Sequence, residues 1–287
     1  MKTGFTAALL AASATAVPTA VFHGLGDACI YPGMRSFTKE LGTGTGDFAK
    51  CVEVGNGSLT SIFGNFETQA ELGCKNLLAV DEFKNADEIN VVGLSQGALI
   101  ARYIVESCEG VKARNLLSIG GPNMGVTDVP HCFHGPLCKV VNKVARSLVY
   151  MGLVQDHLGP AGYFRDPKDY SKYLADSVFL AKLNNEVVSD ANAAATNKTN
   201  FESLNGLMLV MFTEDTMVYP KESEWFQTLD DKDRKVVALE DSDFYKNDDI
   251  GLKTLNDAKK VQFISVEGDH LQFSKDDVTN TFIPFLL

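Results

Sequence analysis

The sequence predicts an α/β fold with a mainly parallel central sheet covered by helices on both faces. Three observations carry that prediction. Short apolar runs suited to strands alternate along the chain with segments of helical spacing. Several of the runs close on glycine-rich turns, at His23-Gly24-Leu25-Gly26-Asp27, Gly93-Leu94-Ser95-Gln96-Gly97 and Gly120-Gly121-Pro122. At 287 residues and 45% hydrophobic content the chain can bury a full core, and its length sits at the upper end of what one domain reaches.

The elements follow in order. Lys2, the apolar residues 5–12 and the small residues Ser13-Ala14-Thr15-Ala16 read as a secretory signal peptide over residues 1–16, cut after Ala16. That run is too short to span a bilayer, and no later segment offers about 18 uninterrupted apolar residues. Residues 17–287 are then expected to form one domain. Residues 17–22 and 48–54 read as strands closed by turn residues. Between 60 and 83, Ile62, Phe63, Phe66, Leu72, Leu77 and Leu78 recur at mostly helical spacings, predicting one long crossover helix despite Gly64 and Gly73. Residues 89–92 suit a strand buried on both faces, 98–105 a helix, and 116–119 another strand. The pattern then breaks from about 122 to 205, an insertion with a helix expected over 139–150. Residues 207–212 and 261–266 resume the strand series, and an apolar segment covers 282–287.

The formal charge of -11 opposes nucleic-acid binding, because an acidic surface has few cations with which to displace phosphate counterions. It suits an acidic compartment, where carboxylates lose charge. Six cysteines, Cys29, Cys51, Cys74, Cys108, Cys132 and Cys138, suggest three disulfides among fifteen possible pairings in an oxidising compartment. Asn56-Gly57-Ser58 and Asn197-Lys198-Thr199 are glycosylation sequons, consistent with a secreted route.

The sharpest chemical signal is Gly93-Leu94-Ser95-Gln96-Gly97, set between a strand and a helix. In such an elbow the flanking glycines relieve clashes and the serine hydroxyl is thrust out at the helix N-terminus. A serine hydroxyl becomes a good nucleophile only when a histidine takes its proton, and in this arrangement acid and histidine follow the serine along the chain. His270 fits best, since Glu267-Gly268-Asp269-His270 follows the last strand. The acid belongs after the strand at 207–212, where Asp215 is preferred for its shorter side chain and Glu214 is its rival; Asp269 reads as a turn former. An oxyanion hole needs backbone N–H groups, and Gln96 and Leu25 are the candidates. The glycines at 24 and 26 lack the spacing of a dinucleotide site, so no cofactor is expected. His131-Cys132-Phe133-His134 with Cys138 offers metal-ligand types in no familiar spacing; a Cys132–Cys138 disulfide is the expectation there, and no metal is expected.

Together these residues resemble the palmitoyl-protein thioesterase family, lysosomal enzymes of the α/β-hydrolase fold that remove fatty acyl groups from cysteine. The resemblance runs over nearly the whole chain after residue 16: HGLGD from His23, GLSQG from Gly93, SIGGPNMGV from Ser118, YFRDP from Tyr163, SEWF from Ser223, GLKTLNDAKKV from Gly251, EGDHLQF from Glu267 and the final IPFLL. It implies Ser95, Asp215 and His270 as the catalytic triad, Leu25 and Gln96 as oxyanion donors, and disulfides Cys74–Cys108 and Cys132–Cys138. Where the family often has adjacent cysteines in the first loop, this chain has only Cys29 before Ile30; Cys51 is left over, giving Cys29–Cys51. A second departure is Val218-Tyr219-Pro220, where an acidic residue is expected before the proline.

The resemblance implies S-acylated proteins or peptides and long-chain acyl thioesters as substrates, and a lysosome, vacuole or the exterior as destination. A thiol, with a pKa of about 8.5, leaves with less protonation than an alcohol does. In the insertion, Val140, Val141, Val144, Leu148, Leu153, Val154 and Leu158 are candidates for an acyl-binding groove. The alternatives are a secreted oxyester lipase or esterase, and a non-catalytic lipid-binding protein on the same fold.

Overall fold

A computed structural model describes residues 17–131 and 136–287; the expected signal peptide lies outside them. The chain runs β1 (Thr19–Phe22), α1 (Pro32–Thr45), β2 (Ala49–Cys51), α2 (Ser58–Ile62), α3 (Phe66–Leu78), α4 (Asp81–Lys84), β3 (Ile89–Leu94), α5 (Gln96–Ser107) and β4 (Ala113–Ile119). The inserted region carries α6 (Pro136–Leu148), α7 (Gly152–His157), α8 (Tyr170–Asp176), α9 (Leu180–Leu183) and α10 (Ala191–Glu202) before β5 (Gly206–Phe212). Then β6 (Thr228–Leu229) and β7 (Val236–Val237) pair with each other, α11 (Asp243–Lys246) and α12 (Leu252–Asp257) lead to β8 (Val261–Val266), and α13 (Lys275–Asp277) and α14 (Ile283–Leu286) follow.

The main sheet has the order β2-β1-β3-β4-β5-β8 with every pair parallel. Strand alternation divides the core. Val91, Leu116, Leu207 and Leu209 pack on the face covered by Phe66 and Leu77 of α3 and Leu99 and Ile104 of α5. Their neighbours Val92, Leu117, Met208 and Val210 pack on the other face, against Met34, Phe37 and Leu41 of α1 and Phe282 and Leu286 near the C-terminus. Burial on both faces is why β3 and β5 read as near-continuous apolar runs. The buried asparagines of β3 and β4 are hydrogen-bonded: Asn115 Nδ2 donates to Asn90 Oδ1 (3.1 Å), and Asn90 Nδ2 to the Leu286 carbonyl (2.8 Å).

β1 is flanked by β2 on one side and β3 on the other, so the strand order reverses there. The loops leaving the carboxyl ends of β1 and β3 diverge at that point and frame a crevice, the usual ligand position in an open α/β sheet.

The long crossover helix expected over 60–83 is broken. Gly64, at φ +125, ends the turn after α2, and Asn65 restarts the chain as N-cap of α3, accepting from the Thr68 N–H at 3.2 Å. Gly73 stays inside α3 because a Cβ there would stand 2.8 Å from Ile100 Cγ2, so the glycine sets how closely α3 approaches α5. Disulfides join Cys29 to Cys51 and Cys74 to Cys108. The first ties the loop after β1 to β2, and the second ties α3 to the end of α5. The Cys132–Cys138 pairing and the His131-to-Cys138 metal alternative involve residues outside those described.

Candidate active site

The two glycine motifs form one packing unit. A Cβ on Gly93 would fall 2.3 Å from Ala98 Cα, and one on Gly97 would fall 2.4 Å from the carbonyl oxygens of both Phe22 and His23. The start of α5 therefore lies against the end of β1. Ser95 sits between these contacts at φ 53 and ψ -125, a conformation that costs a non-glycine residue about 1–3 kcal/mol and persists only where its surroundings enforce it. A Cβ on Gly24 would stand 3.1 Å from Ser95 Cβ, so the Gly24-Leu25 backbone lies directly beside the serine.

The Ser95 hydroxyl donates to His270 Nε2 at 2.8 Å, and His270 Nδ1–H donates to Asp215 Oδ2 at 2.5 Å. Asp215 is buried in the turn after β5, where its Oδ1 accepts the N–H groups of Met217 and Val218, each at 2.7 Å. Burial pushes the Asp215 carboxyl up, but hydrogen bonds from His270 and Glu224 outweigh it and hold the group below the ordinary carboxylate range. Glu214, the sequence rival, is exposed and engages only its backbone, its N–H donating to the Gly268 carbonyl at 2.9 Å. Asp269 binds the two loops together: its Oδ1 accepts from the His270 N–H at 2.7 Å and the Thr216 N–H at 2.8 Å.

The other described histidines stand elsewhere. His23 is buried with Nε2 2.6 Å from Glu53 Oε1, while His131 and His157 are exposed.

Gln96 follows Ser95 in the chain, Leu25 lines the same cavity as the serine, and the Gln96 side chain is locked in place. Its Nε2 donates to the Ser61 carbonyl at 2.9 Å, and its Oε1 accepts from the Tyr163 hydroxyl at 2.9 Å. Ser61 Oγ in turn accepts from the Gly26 N–H at 2.8 Å, which anchors the loop carrying Leu25. Sequence reasoning singled out Gln96 for its backbone alone. The supporting side chains Ser61 and Tyr163 come from α2 and the inserted region, with no local motif to announce them. Glu224, fully buried beside Asp215, was also missed; an acid inside the aromatic stretch Ser223-Glu224-Trp225-Phe226 was the available signal.

A cavity of about 520 Å³ opens beside Ser95 and His270. Val126, Val149, Val154, Leu158 and Phe164 give it apolar walls, and Leu25 and Met217 flank the reactive end. Of the residues expected to form an acyl groove, Leu148, Val154 and Leu158 line it. Val144 and Leu153 instead face solvent, because only one side of each short helix turns inward; the side chains of Val140 and Val141 lie outside those described.

The sequons differ in setting. Asn56 is exposed in a turn, whereas Asn197 lies within α10 with its amide reaching the Glu106 carbonyl (2.9 Å) and Ser107 Oγ (3.0 Å). Among the described residues, no helix is long and apolar enough to cross a membrane.

Comparison with known proteins agrees with this architecture. Residues 18–270 match the family model described as palmitoyl protein thioesterase. The chain is 33% identical over 275 residues to palmitoyl-protein thioesterase 1 of Caenorhabditis elegans, covering 93% of this chain and 90% of that one. It is 30% identical over 180 residues to the lysosomal thioesterase PPT2-B of Xenopus laevis, covering 63% and 61% respectively. Among solved structures, an esterase of Pyrococcus furiosus superposes with a TM-score of 0.50 at 13% identity, over 95% of this chain and 81% of that one, a likeness of fold. With the parallel sheet, the elbow at Ser95 and a family match over most of its length, the chain belongs to the palmitoyl protein thioesterase family of α/β-hydrolases.

Proposed function

We propose that this protein removes long-chain acyl groups, palmitoyl among them, from cysteine thioesters of proteins or peptides, using Ser95, His270 and Asp215. One observation carries the reading: Ser95 and His270, joined with Asp215 in one hydrogen-bond chain, line an apolar cavity of about 520 Å³, within the volume range of small-molecule sites. The names of the relatives support the choice of thioester over other esters.

The residues act in sequence. Ser95 Oγ attacks the acyl carbonyl as its proton passes to His270 Nε2, and Asp215 holds the ring so that Nε2 faces the serine. The N–H groups of Leu25 and Gln96 stabilise the developing oxyanion. His270 returns the proton to the departing cysteine sulfur, leaving acyl-Ser95. Water, deprotonated by His270, then attacks the acyl-enzyme, and His270 returns that proton to Ser95 Oγ as the ester bond breaks and the fatty acid leaves. The cavity holds the acyl chain throughout.

The two disulfides and the lysosomal relative support passage through the secretory pathway, with residues 1–16 as the signal peptide and a lysosome, vacuole or the exterior as destination. Asn56 is the sequon better placed to carry a glycan.

The test is release of palmitate from an S-palmitoyl-cysteine peptide by purified protein, beside Ser95→Ala and an oxyester of the same chain length. Loss of turnover by at least about a thousandfold in the variant, with the thioester preferred, supports the reading. Preference for the oxyester would reassign the protein as a lipase or esterase, and binding without turnover would make it a lipid carrier.

A further inference from the structure

Among the described residues, one further buried carboxyl lies against the Asp215–His270 pair. Glu224 is fully buried, and it and both of its neighbours are held by hydrogen bonds. Asn123 Nδ2 donates to the Glu224 carbonyl (3.0 Å), the Met124 N–H donates to Ser223 Oγ (3.0 Å), and Trp225 Nε1–H donates to the Leu209 carbonyl (3.1 Å). This pins the carboxyl beneath the end of β5. Its Oε2 accepts the Phe212 N–H at 3.0 Å, three residues before Asp215. Its Oε1 is buried and meets no donor among the described residues. A carboxyl oxygen of Glu224, one of Asp215 and a ring nitrogen of His270 all lie within 4.8 Å of one another.

Two carboxyls this close cannot both be ionised out of water without a large penalty, so one holds a proton. The donors decide which. Asp215 accepts from Met217, Val218 and His270, whereas Glu224 accepts from Phe212 alone. Three donors stabilise the Asp215 anion against one for Glu224, and an ionised Glu224 would leave Oε1 as a buried, unpaired charge. As a neutral acid, Glu224 can instead donate to Asp215.

We propose that Glu224 is a positioning residue of the active site, whose neutral carboxyl donates a hydrogen bond to Asp215 and through it sets the orientation and basicity of His270. This rests on the reading of Ser95, His270 and Asp215 given above. Burial first, and then the neighbouring Asp215, push the Glu224 carboxyl well above the ordinary range, in agreement with the geometry. The charged groups around it are few. Asp215 faces it from the turn after β5 and His270 from the loop after β8. Glu222 adds a like charge from its own segment, Lys221 Nζ caps the Thr213 carbonyl, and Arg102 lies over the Phe226 ring. A donor on Asp215 makes that carboxylate a weaker partner for the imidazolium. Removing the donor strengthens the pair, so His270 holds its proton to higher pH and the acid limb of the rate profile moves up.

The experiment compares Glu224→Ala and Glu224→Gln in the full chain, following kcat and KM against pH with the S-palmitoyl-cysteine peptide. Glu224→Ala is expected to lose roughly tenfold to a hundredfold in kcat, with KM little changed and the acid limb displaced to higher pH. Glu224→Gln keeps an N–H donor and is expected to recover most of the loss and return the limb. A limb unmoved in Glu224→Ala would reduce Glu224 to packing, and a glutamine variant as impaired as the alanine one would mean that an ionised Glu224 is needed; either overturns the proposal. Infrared difference spectra of wild type against Glu224→Gln at neutral pH read the proton directly, without turnover. A carboxylic-acid band lost in the variant supports the proposal, and its absence from wild type overturns it. Turnover retained by Ser95→Ala would instead sink the triad reading, leaving the spectroscopic result to stand by itself.

Discussion

The hydroxyl of Tyr163 donates to the side-chain oxygen of Gln96 across 2.9 Å, joining the inserted region to the residue that follows Ser95. Both groups are buried. Burial of Tyr163 pushes its phenol well above the ordinary range, so it stays a donor at every working pH. Tyr163→Phe leaves Gln96 Oε1 without that donor, a loss of about 1–3 kcal/mol. The expected outcome is a lower unfolding midpoint together with reduced kcat, as the Gln96 N–H loses its fixed direction. Wild-type kcat in a destabilised variant would separate the bond from the chemistry.

Asp215 and Glu214 are adjacent in sequence and opposite in setting, one buried against His270 and the other exposed. Asp215→Asn is expected to lower kcat by about ten-thousandfold, since the amide favours the wrong imidazole tautomer. Glu214→Gln should stay close to wild type. Steady-state kinetics on the pair would reverse the assignment if the larger loss fell on Glu214.

Val149 is buried in the cavity wall. Val149→Phe adds volume where an acyl chain would run, so kcat/KM for a palmitoyl thioester should fall while a short-chain thioester is hydrolysed nearly as before. Equal losses on both substrates would place the chain elsewhere.

Stability should rise as the medium becomes acidic. Burial, against the pull of Arg102, raises the Glu106 carboxyl from 4.5 to about 7, and burial with the Glu186 charge raises Asp249 from 3.8 to about 6. Both groups bind protons more tightly in the folded state. Their contribution is therefore complete below the ordinary carboxylate range and is lost as pH rises through about 6 to 7. Asp215 acts in the opposite sense, but only as pH falls below that range. Thermal unfolding should show a higher midpoint near pH 5 than near pH 8, and Asp249→Asn should flatten the difference. A midpoint that climbs with pH would contradict this.

The sequence by itself determined the strand–helix alternation, the parallel sheet and the position of the nucleophile elbow. These rest on local causes: apolar runs of strand length, and glycines at 93 and 97 where a side chain would strike neighbouring backbone. Even so, helical spacing over 60–83 concealed the break at Gly64, because periodicity does not register a single residue at positive φ. The tertiary structure set Asp215 apart from its neighbour Glu214, burying the first with its carboxyl hydrogen-bonded to His270 and turning the second to water. It likewise placed Glu224 beside Asp215 and Tyr163 on Gln96, and set Leu148 but not Val144 along the cavity. Such relations join residues dozens of positions apart, and they depend on how the inserted helices and the β5 and β8 loops pack over the sheet. The preferences of neighbouring residues carry no record of that packing.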